Sequence, residues 1–371
     1  MHAEDRIAEN HITVSRAATA IYLILAHLNR PGDDVIVPGN LCYAGIYPVL
    51  YADMHPVFCD VDPVSGNTDL KRFSAALTPQ TKVAIIPHMY GNPVQDFPQI
   101  ASLCKIRGIL LIEDCASAMG ITPASYKAGE LSDYCVFSTG YSKTLDLGMG
   151  GILASATQDL SSLASLEVEL PQCPADLADA LAYFSRQYRK LRNTNQETPE
   201  AQAYFRKLPQ QYRKYFVYRM ENRDRIFVEN RLKELPSVVV ARNQAKELYD
   251  RLLFADATPQ NPAASDTWSE DDIDAKLADN GLMRYPFAEG AVPWRYNLRA
   301  EPVLRQKLID SCLQQELPIS DWYPSVQPMF GDQTELRGIR WHENHILNFP
   351  LLISEDIIDE ICKIIISCTK K

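Results

Sequence analysis

No two of the nine cysteines stand as C-x-x-C, and their number is odd. That argues against a zinc knuckle and a secreted disulfide framework, and it points to reduced thiols in a cytoplasm. No uninterrupted apolar run reaches the roughly 18–20 residues a membrane helix needs. Met1 to Glu9 lacks the apolar centre of a signal peptide. Positive charge is also in deficit: 37 Lys and Arg face 47 Asp and Glu, a net charge of −10. This is the wrong sign for a general nucleic-acid binder. No internal repeat or low-complexity tract interrupts the chain. The expectation is a soluble cytoplasmic protein, engaging neither membrane nor nucleic acid, whose 371 residues suit one large domain and a smaller one.

What the chain does have is an alternation of two hydrophobic periods. "SRAATAIYLILAHLN", "AGIYPVLYAD" (despite Pro48), "DLKRFSAAL" and "QIASLCKIRG" read as helices. Between and after them "DDVIVPG", "HPVFCDV", "KVAIIPHMYG", "ILLIED", "YCVFS" and "GGILAS" read as buried strands. Continuous apolar strands separated by helices predict a mostly parallel sheet covered on both faces. Ligands of such sheets bind beyond the carboxyl ends of the strands, which draws attention to His88, Asp114, Ser138 and Lys143.

From Leu170 to about Leu235 the chain becomes aromatic, basic and helix-compatible. Amphipathic helices packing on a second copy are expected there, in preference to RNA contacts. Beyond it, "GLMRYPF", "LPISDWYP" and "HILNFPLL" alternate with the helices "EPVLRQKLIDSCLQQEL" and "SEDIIDEICKIIISC". The expected division is a large domain over 1–236, including the helical segment 170–235, and a small α+β domain over 237–371.

Several motifs fail on spacing. In "WHENHI" the histidines 342 and 345 are three apart, not four as on a zinc-protease helix, and a loop or strand edge is expected. "GMGG" is neither a dinucleotide loop nor a P-loop. Gly140 stands three residues before Lys143, where an S-x-x-K acyl-enzyme needs serine.

A carboxylate and a lysine remain. Asp114 closes "GILLIED", and Lys143 follows the next strand by a short turn. Pyridoxal phosphate needs this pair: an amine for a Schiff base, and a carboxylate against the protonated pyridine nitrogen. Its phosphate needs neutral donors and a helix N-terminus, for which "SRAAT" and Ser138 are candidates. Burial beside a cationic cofactor is expected to lower the lysine's proton affinity. On composition alone the bland alternative, a strand-end cap and a loop charge, is the stronger account of these two residues.

The order of segments resembles the DegT/StrS family of sugar aminotransferases. The resemblance rests on "GDDVIVPG" from Gly32, "PVFCDVDP" from Pro56, "TPQTKVAIIPHMYGNP", "EDCAS" from Glu113 and "FSTGYSK" from Phe137. It implies an aspartate-aminotransferase-type α/β fold, a homodimer, and pyridoxal 5'-phosphate. It further implies that Lys143 is the Schiff-base and acid–base group and Asp114 the pyridine partner. Ser138 and the amides of Ala17 and Ala18 would hold the phosphate, with His88 and Ser117 also at the cofactor. Tyr43 would cover the ring, in a register ambiguous with Cys42 and with core packing as its rival. The implied reaction carries an amino group from glutamate or a similar donor to a keto group, that of a nucleotide-linked sugar. Other chemistry of the same cofactor, such as dehydration, and a regulatory or scaffold role stay open.

The departures are specific. Ser117 replaces a glutamine that touches the cofactor's phenolic oxygen, so water or another side chain is expected there. Met119 replaces a histidine, and Val217 in "VYRM" replaces an asparagine. Trp322 and Gln327 in "WYPSVQ" replace two histidines. The long lead that usually precedes the first helix is short here. These changes spare the lysine–aspartate pair and fall on positions that recognise a nucleotide-sugar.

Overall fold

The computed structural model describes residues 10–192, 199–254, 281–332 and 334–369, with side chains throughout except 189–207. The expectation for Met1 to Glu9 lies outside these residues. Among the described residues no helix is long and apolar enough to cross a membrane.

A seven-stranded sheet runs in the order β1-β7-β6-β5-β4-β2-β3. Its strands are β1 (His11–Val14), β2 (Asp34–Pro38), β3 (His55–Cys59), β4 (Thr81–Pro87), β5 (Leu110–Cys115), β6 (Tyr134–Ser138) and β7 (Gly151–Ala154). The pairs β2·β3, β2·β4, β4·β5 and β5·β6 are parallel, and β7 runs antiparallel to both β6 and β1. Helices α1 (Ala17–Leu28), α2 (Tyr43–Tyr51), α3 (Leu70–Ala75) and α4 (Phe97–Arg107) connect the first strands. Pro48 is accommodated inside α2, and α4 stops on Gly108, whose φ of 64° suits glycine.

Alternation along the strands sorts the core into two layers. Ile85, Ile112, Val136 and Leu153 pack with α1 and α2, while Ile86 and Leu111 pack with α4. Asp114 shares its face with Ile112, Ser138 with Val136, and Gly151 with Leu153. These three therefore lie on the α1 side of the sheet.

Helices α5 (Ser161–Glu169), α6 (Leu177–Arg192), α7 (Pro199–Phe216), α8 (Asn222–Leu232) and α9 (Leu235–Phe254) follow. The aromatics of the basic segment find cover within this chain. Phe184, Tyr188 and Phe216 are buried in one cluster with Tyr43 and Tyr47, and Tyr212 packs on Phe184. Tyr215 is buried as well and Tyr183 is exposed, while the side chains of Tyr204 and Phe205 lie outside those described.

The second sheet, ordered β10-β9-β8, is antiparallel. It comprises β8 (Leu282–Arg284), β9 (Tyr296–Ala300) and β10 (Ile346–Phe349), with α10 (Pro302–Gln314), α11 (Arg337–His345) and α12 (Glu355–Thr369). Its core is separate. Helix α9 joins the two cores: Leu235, Val238 and Val239 pack on the large sheet's cluster, and Leu248 and Tyr249 on the small one. The expected boundary at 236/237 thus falls inside a continuous helix. "LPISDWYP" forms only an isolated bridge, Ser320 to Asn348. "WHENHI" corrects the expectation of a loop or strand edge: residues 337–345 are helical, with His342 and His345 buried.

Candidate functional site

Lys143 is carried on the loop after β6, and two arginines, Arg242 buried and Arg295 half-buried, hold that loop. The Arg242 guanidinium, from α9, donates to the carbonyl oxygens of Lys143 (2.8 Å), Thr144 (3.0 Å) and Trp294 (2.7 Å). Burial lowers its proton affinity to about 10, so it stays cationic at neutral pH. Ser142 (φ 62°) receives Arg295 Nη2 on its hydroxyl (2.7 Å) and Trp294 Nε1 on its carbonyl (2.5 Å). Backbone strain at Ser142 is thereby pinned from the small-sheet side. A charge lodged in the apolar run "SVVVARN" was the available signal for Arg242, and the sequence reading passed over it.

The amine points inward. Lys143 Nζ donates to Ser117 Oγ (3.1 Å), and Ser117 Oγ lies 3.4 Å from Tyr323 Oη. Burial pushes the Lys143 ammonium down, but Tyr323, Cys42 and Asp114 around it more than offset this, leaving its proton affinity above the ordinary lysine value. The lowering expected beside a cationic cofactor concerns the loaded site; in the protein alone, the hydroxyl, thiol and carboxyl groups around the amine act the other way.

Asp114 is the penultimate residue of β5, 6% exposed. Its carboxylate accepts one hydrogen bond, from Ala116 N–H (2.8 Å). Burial holds its proton affinity above the usual carboxylate range, opposed by that bond and by the charge of Lys143. A buried carboxylate with unused acceptor capacity is suited to receive a donor brought by a ligand.

Ser138, last in β6, pairs with Gly151 of β7. A Cβ on Gly151 would stand 2.5 Å from Ala17 N, so only glycine lets the start of α1 approach Ser138. Arg16 caps that helix without a side-chain bond, and the leading N–H groups of α1 have no partner within the helix. The Arg16 guanidinium lies 5.4 Å from the Phe216 ring centre, adding positive charge beside a cradle already suited to an anion.

Tyr43 and His88 fall elsewhere. The Tyr43 ring packs into the aromatic cluster, 4.5 Å from Tyr188 and 5.2 Å from Phe184 between centroids. Its neighbour Cys42 is the residue that interacts electrostatically with Lys143 and Asp114. His88 lies on the opposite side of β5, where Nε2 meets Glu113 Oε1 (2.9 Å). Val94 N–H donates to His88 Nδ1 (3.0 Å), which leaves the ring neutral with its proton on Nε2. Glu113 also accepts from Gly129 N–H (2.7 Å) and Ser132 Oγ (3.1 Å). Cys115 completes a buried His–Glu–Cys group, but both ring nitrogens of its histidine are already engaged within the protein.

An amine, a facing buried carboxylate on the same side of the sheet, and an anion cradle opened by Gly151 are what pyridoxal phosphate requires. The residues present fit the group. Comparison with known proteins agrees in kind. GDP-perosamine synthase of Caulobacter vibrioides is 34% identical over 152 residues, 41% of this chain and 41% of that protein. UDP-N-acetyl-3-dehydro-alpha-D-glucosamine 3-aminotransferase of Acidithiobacillus ferrooxidans is 40% identical over 131 residues, 35% of each chain. The matched stretch thus spans about two-fifths or less of these curated relatives' length. The crystal structure of NtdA from Bacillus subtilis with bound cofactor PMP superposes with a TM-score of 0.68 at 17% identity, covering 97% of this chain and 73% of that one. Residues 5–338 match a single family description, and the chain belongs to the DegT/DnrJ/EryC1/StrS aminotransferase family.

Proposed function

We propose that this protein is a pyridoxal-phosphate-dependent aminotransferase that moves an amino group from glutamate or a similar donor to a keto group on a nucleotide-linked sugar. The observation that carries this is the placement of Lys143 and Asp114. Both approach one side of the sheet, Asp114 in the last paired residues of β5 and Lys143 on the loop after β6, with the start of α1 beside them. When bound, pyridoxal phosphate supplies an aldehyde for the amines and a ring that stabilises the carbanion left by proton loss. Asp114 would hold the proton of the ring nitrogen, and Ser138 with the amides of Ala17 and Ala18 would bind the phosphate. Lys143 Nζ takes and returns the proton at the reacting carbon. Packing by Trp294 and Tyr323, both buried, limits water around that amine.

The sugar acceptor follows the names of the relatives. The departures favour a second reading, in which the same amino chemistry serves a different keto acceptor. Val217 is 3% exposed in the core, and Met119 is fully buried. Trp322 stacks on Tyr188, and Gln327 Nε2 is bonded to the Thr334 carbonyl. These side chains are committed to internal packing and bonding.

A cytoplasmic homodimer with a large domain over 1–236 and a small one over 237–371 belongs to the same proposal. Two sheets with separate cores support the division. Tyr141, 85% exposed beside Lys143, supports a second copy covering the site loop.

The test needs no knowledge of the acceptor. Cofactor-loaded protein is mixed with each common amino acid while its visible absorbance is followed. One amino donor should bleach the band, and 2-oxoglutarate should restore it. A band that no amino acid alters would leave only a binding or scaffold role.

A further inference from the structure

We propose that Tyr323 and Ser117 form a hydroxyl pair that fixes the Lys143 amine in place and sets its protonation, making Tyr323 a positioning residue for the reaction. The proposal rests on the reading of Lys143 as the working amine. Ser117 is too short to do what a longer side chain would do alone, and the structure brings a second hydroxyl to it. Lys143 Nζ, Ser117 Oγ and Tyr323 Oη stand in sequence at 3.1 and 3.4 Å, and Tyr323 is among the groups that raise the proton affinity of the Lys143 amine. The amine thus donates to Ser117 Oγ, and Tyr323 Oη backs that hydroxyl.

Tyr323 is held for this purpose from far along the chain. Its ring stacks on Trp294 (5.3 Å between centroids, 29°). Its backbone N–H donates to Tyr90 Oη (3.0 Å). Tyr90 Oη in turn lies 3.0 Å from His342 Nε2, and His342 Nδ1 lies 3.0 Å from the Pro63 carbonyl. The proton positions follow from valence. A carbonyl can only accept, so His342 carries its proton on Nδ1, its Nε2 accepts from the Tyr90 hydroxyl, and Tyr90 Oη accepts from Tyr323 N–H. Burial and the nearby Arg299 charge push His342 down to about 3, so this anchor does not titrate in the working range. The first histidine of "WHENHI", which resembles a metal motif, thus has a mechanical use: it orients the tyrosine that aims Tyr323.

The groups facing the amine are Asp114 from β5, Cys42 from the start of α2, and Tyr323. Arg242 sits on its carbonyl and Arg295 on the Ser142 hydroxyl. With Asp114 and Cys42 left in place, removing the Tyr323 oxygen should lower the amine's proton affinity.

The experiment uses full-length, cofactor-free protein, acetylated competitively across a pH series, with the Lys143 peptide quantified by mass spectrometry. Tyr323→Phe keeps the ring and its stacking, so the melting temperature should be unchanged. The labelling midpoint of Lys143 should move to lower pH by about one unit. Ser117→Ala should move it in the same direction. The double variant should move it by little more than the larger single change, because coupled partners are not additive. A midpoint in Tyr323→Phe equal to the parent's would overturn the proposal, as would fully additive shifts. Because no cofactor is present, the result is separate from the aminotransferase reading. A protein that transaminates with an unmoved midpoint loses only the hydroxyl pair, and one that shifts but never transaminates loses only the enzyme.

Discussion

Glu113 and Asp114 are adjacent carboxylates on one strand, and pleating sends them to opposite faces of the sheet. Glu113 is saturated: a neutral histidine, a backbone amide and a serine hydroxyl all donate to it. Asp114 takes one backbone donor and otherwise faces Lys143. Both are nearly or fully buried. The difference teaches that burial alone does not distinguish a structural carboxylate from a working one. The count of satisfied acceptor sites does, because a group held in reserve for a ligand keeps lone pairs free at a cost in stability.

The comparison can be broken by giving both residues the same chemical change. Asp114→Asn should reduce turnover about 10²–10³-fold, the scale of removing a preorganised electrostatic partner, in steady-state rates with the best donor. Its melting temperature should not fall. Glu113→Gln should do the opposite: it presents an amide to groups that are themselves donors, costing about 1–3 kcal/mol in denaturant melts, with turnover per folded molecule close to the parent's. Equal effects of the two substitutions on stability would erase the distinction.

A smaller effect sharpens it on the lysine side. Arg242→Lys keeps the charge but loses the planar fork that spans the carbonyls of Lys143, Thr144 and Trp294. Cofactor affinity, read by absorbance titration, should weaken about tenfold.

The smallest effect is a pH dependence. Native Asp114 has a raised proton affinity. The stability linked to its protonation is fully present below the unfolded carboxylate value and is lost as pH rises through the native one. Cofactor-free Asp114→Asn, which cannot ionise there, should therefore be slightly more stable than the parent at neutral pH. That gap should close as pH falls, in melting curves collected across the acid range.

The fold was readable because its strands are continuous apolar runs, and only a two-sided sheet makes those stable. Lys143, Asp114 and Ser138 were readable because they follow such strands. The rest depends on contacts that spacing cannot express. Tyr43 and Cys42 are neighbours, and only the packing of Tyr188 and Phe184 shows which one turns into the core. His88 shares a strand-end position with Asp114, yet its ring crosses to the other face. Tyr323 lies inside "WYPSVQ", a stretch conspicuous for what it lacks. The strands β1 ("HITV") and β9 ("YNLRA") are not legible in the same way, because polar residues interrupt each short run. The aromatic helices suggested a subunit contact because their partner, α2, lies more than a hundred residues earlier in the chain.

The central claim, that Lys143 is the amine that holds the cofactor, is tested most directly by chemical trapping. The protein is loaded with pyridoxal phosphate, reduced with borohydride, digested, and its peptides are mapped by mass spectrometry. The account predicts a stoichiometric pyridoxyl adduct on Lys143, absent from Lys143→Ala. An adduct centred on another lysine, or none after saturating loading, would contradict it.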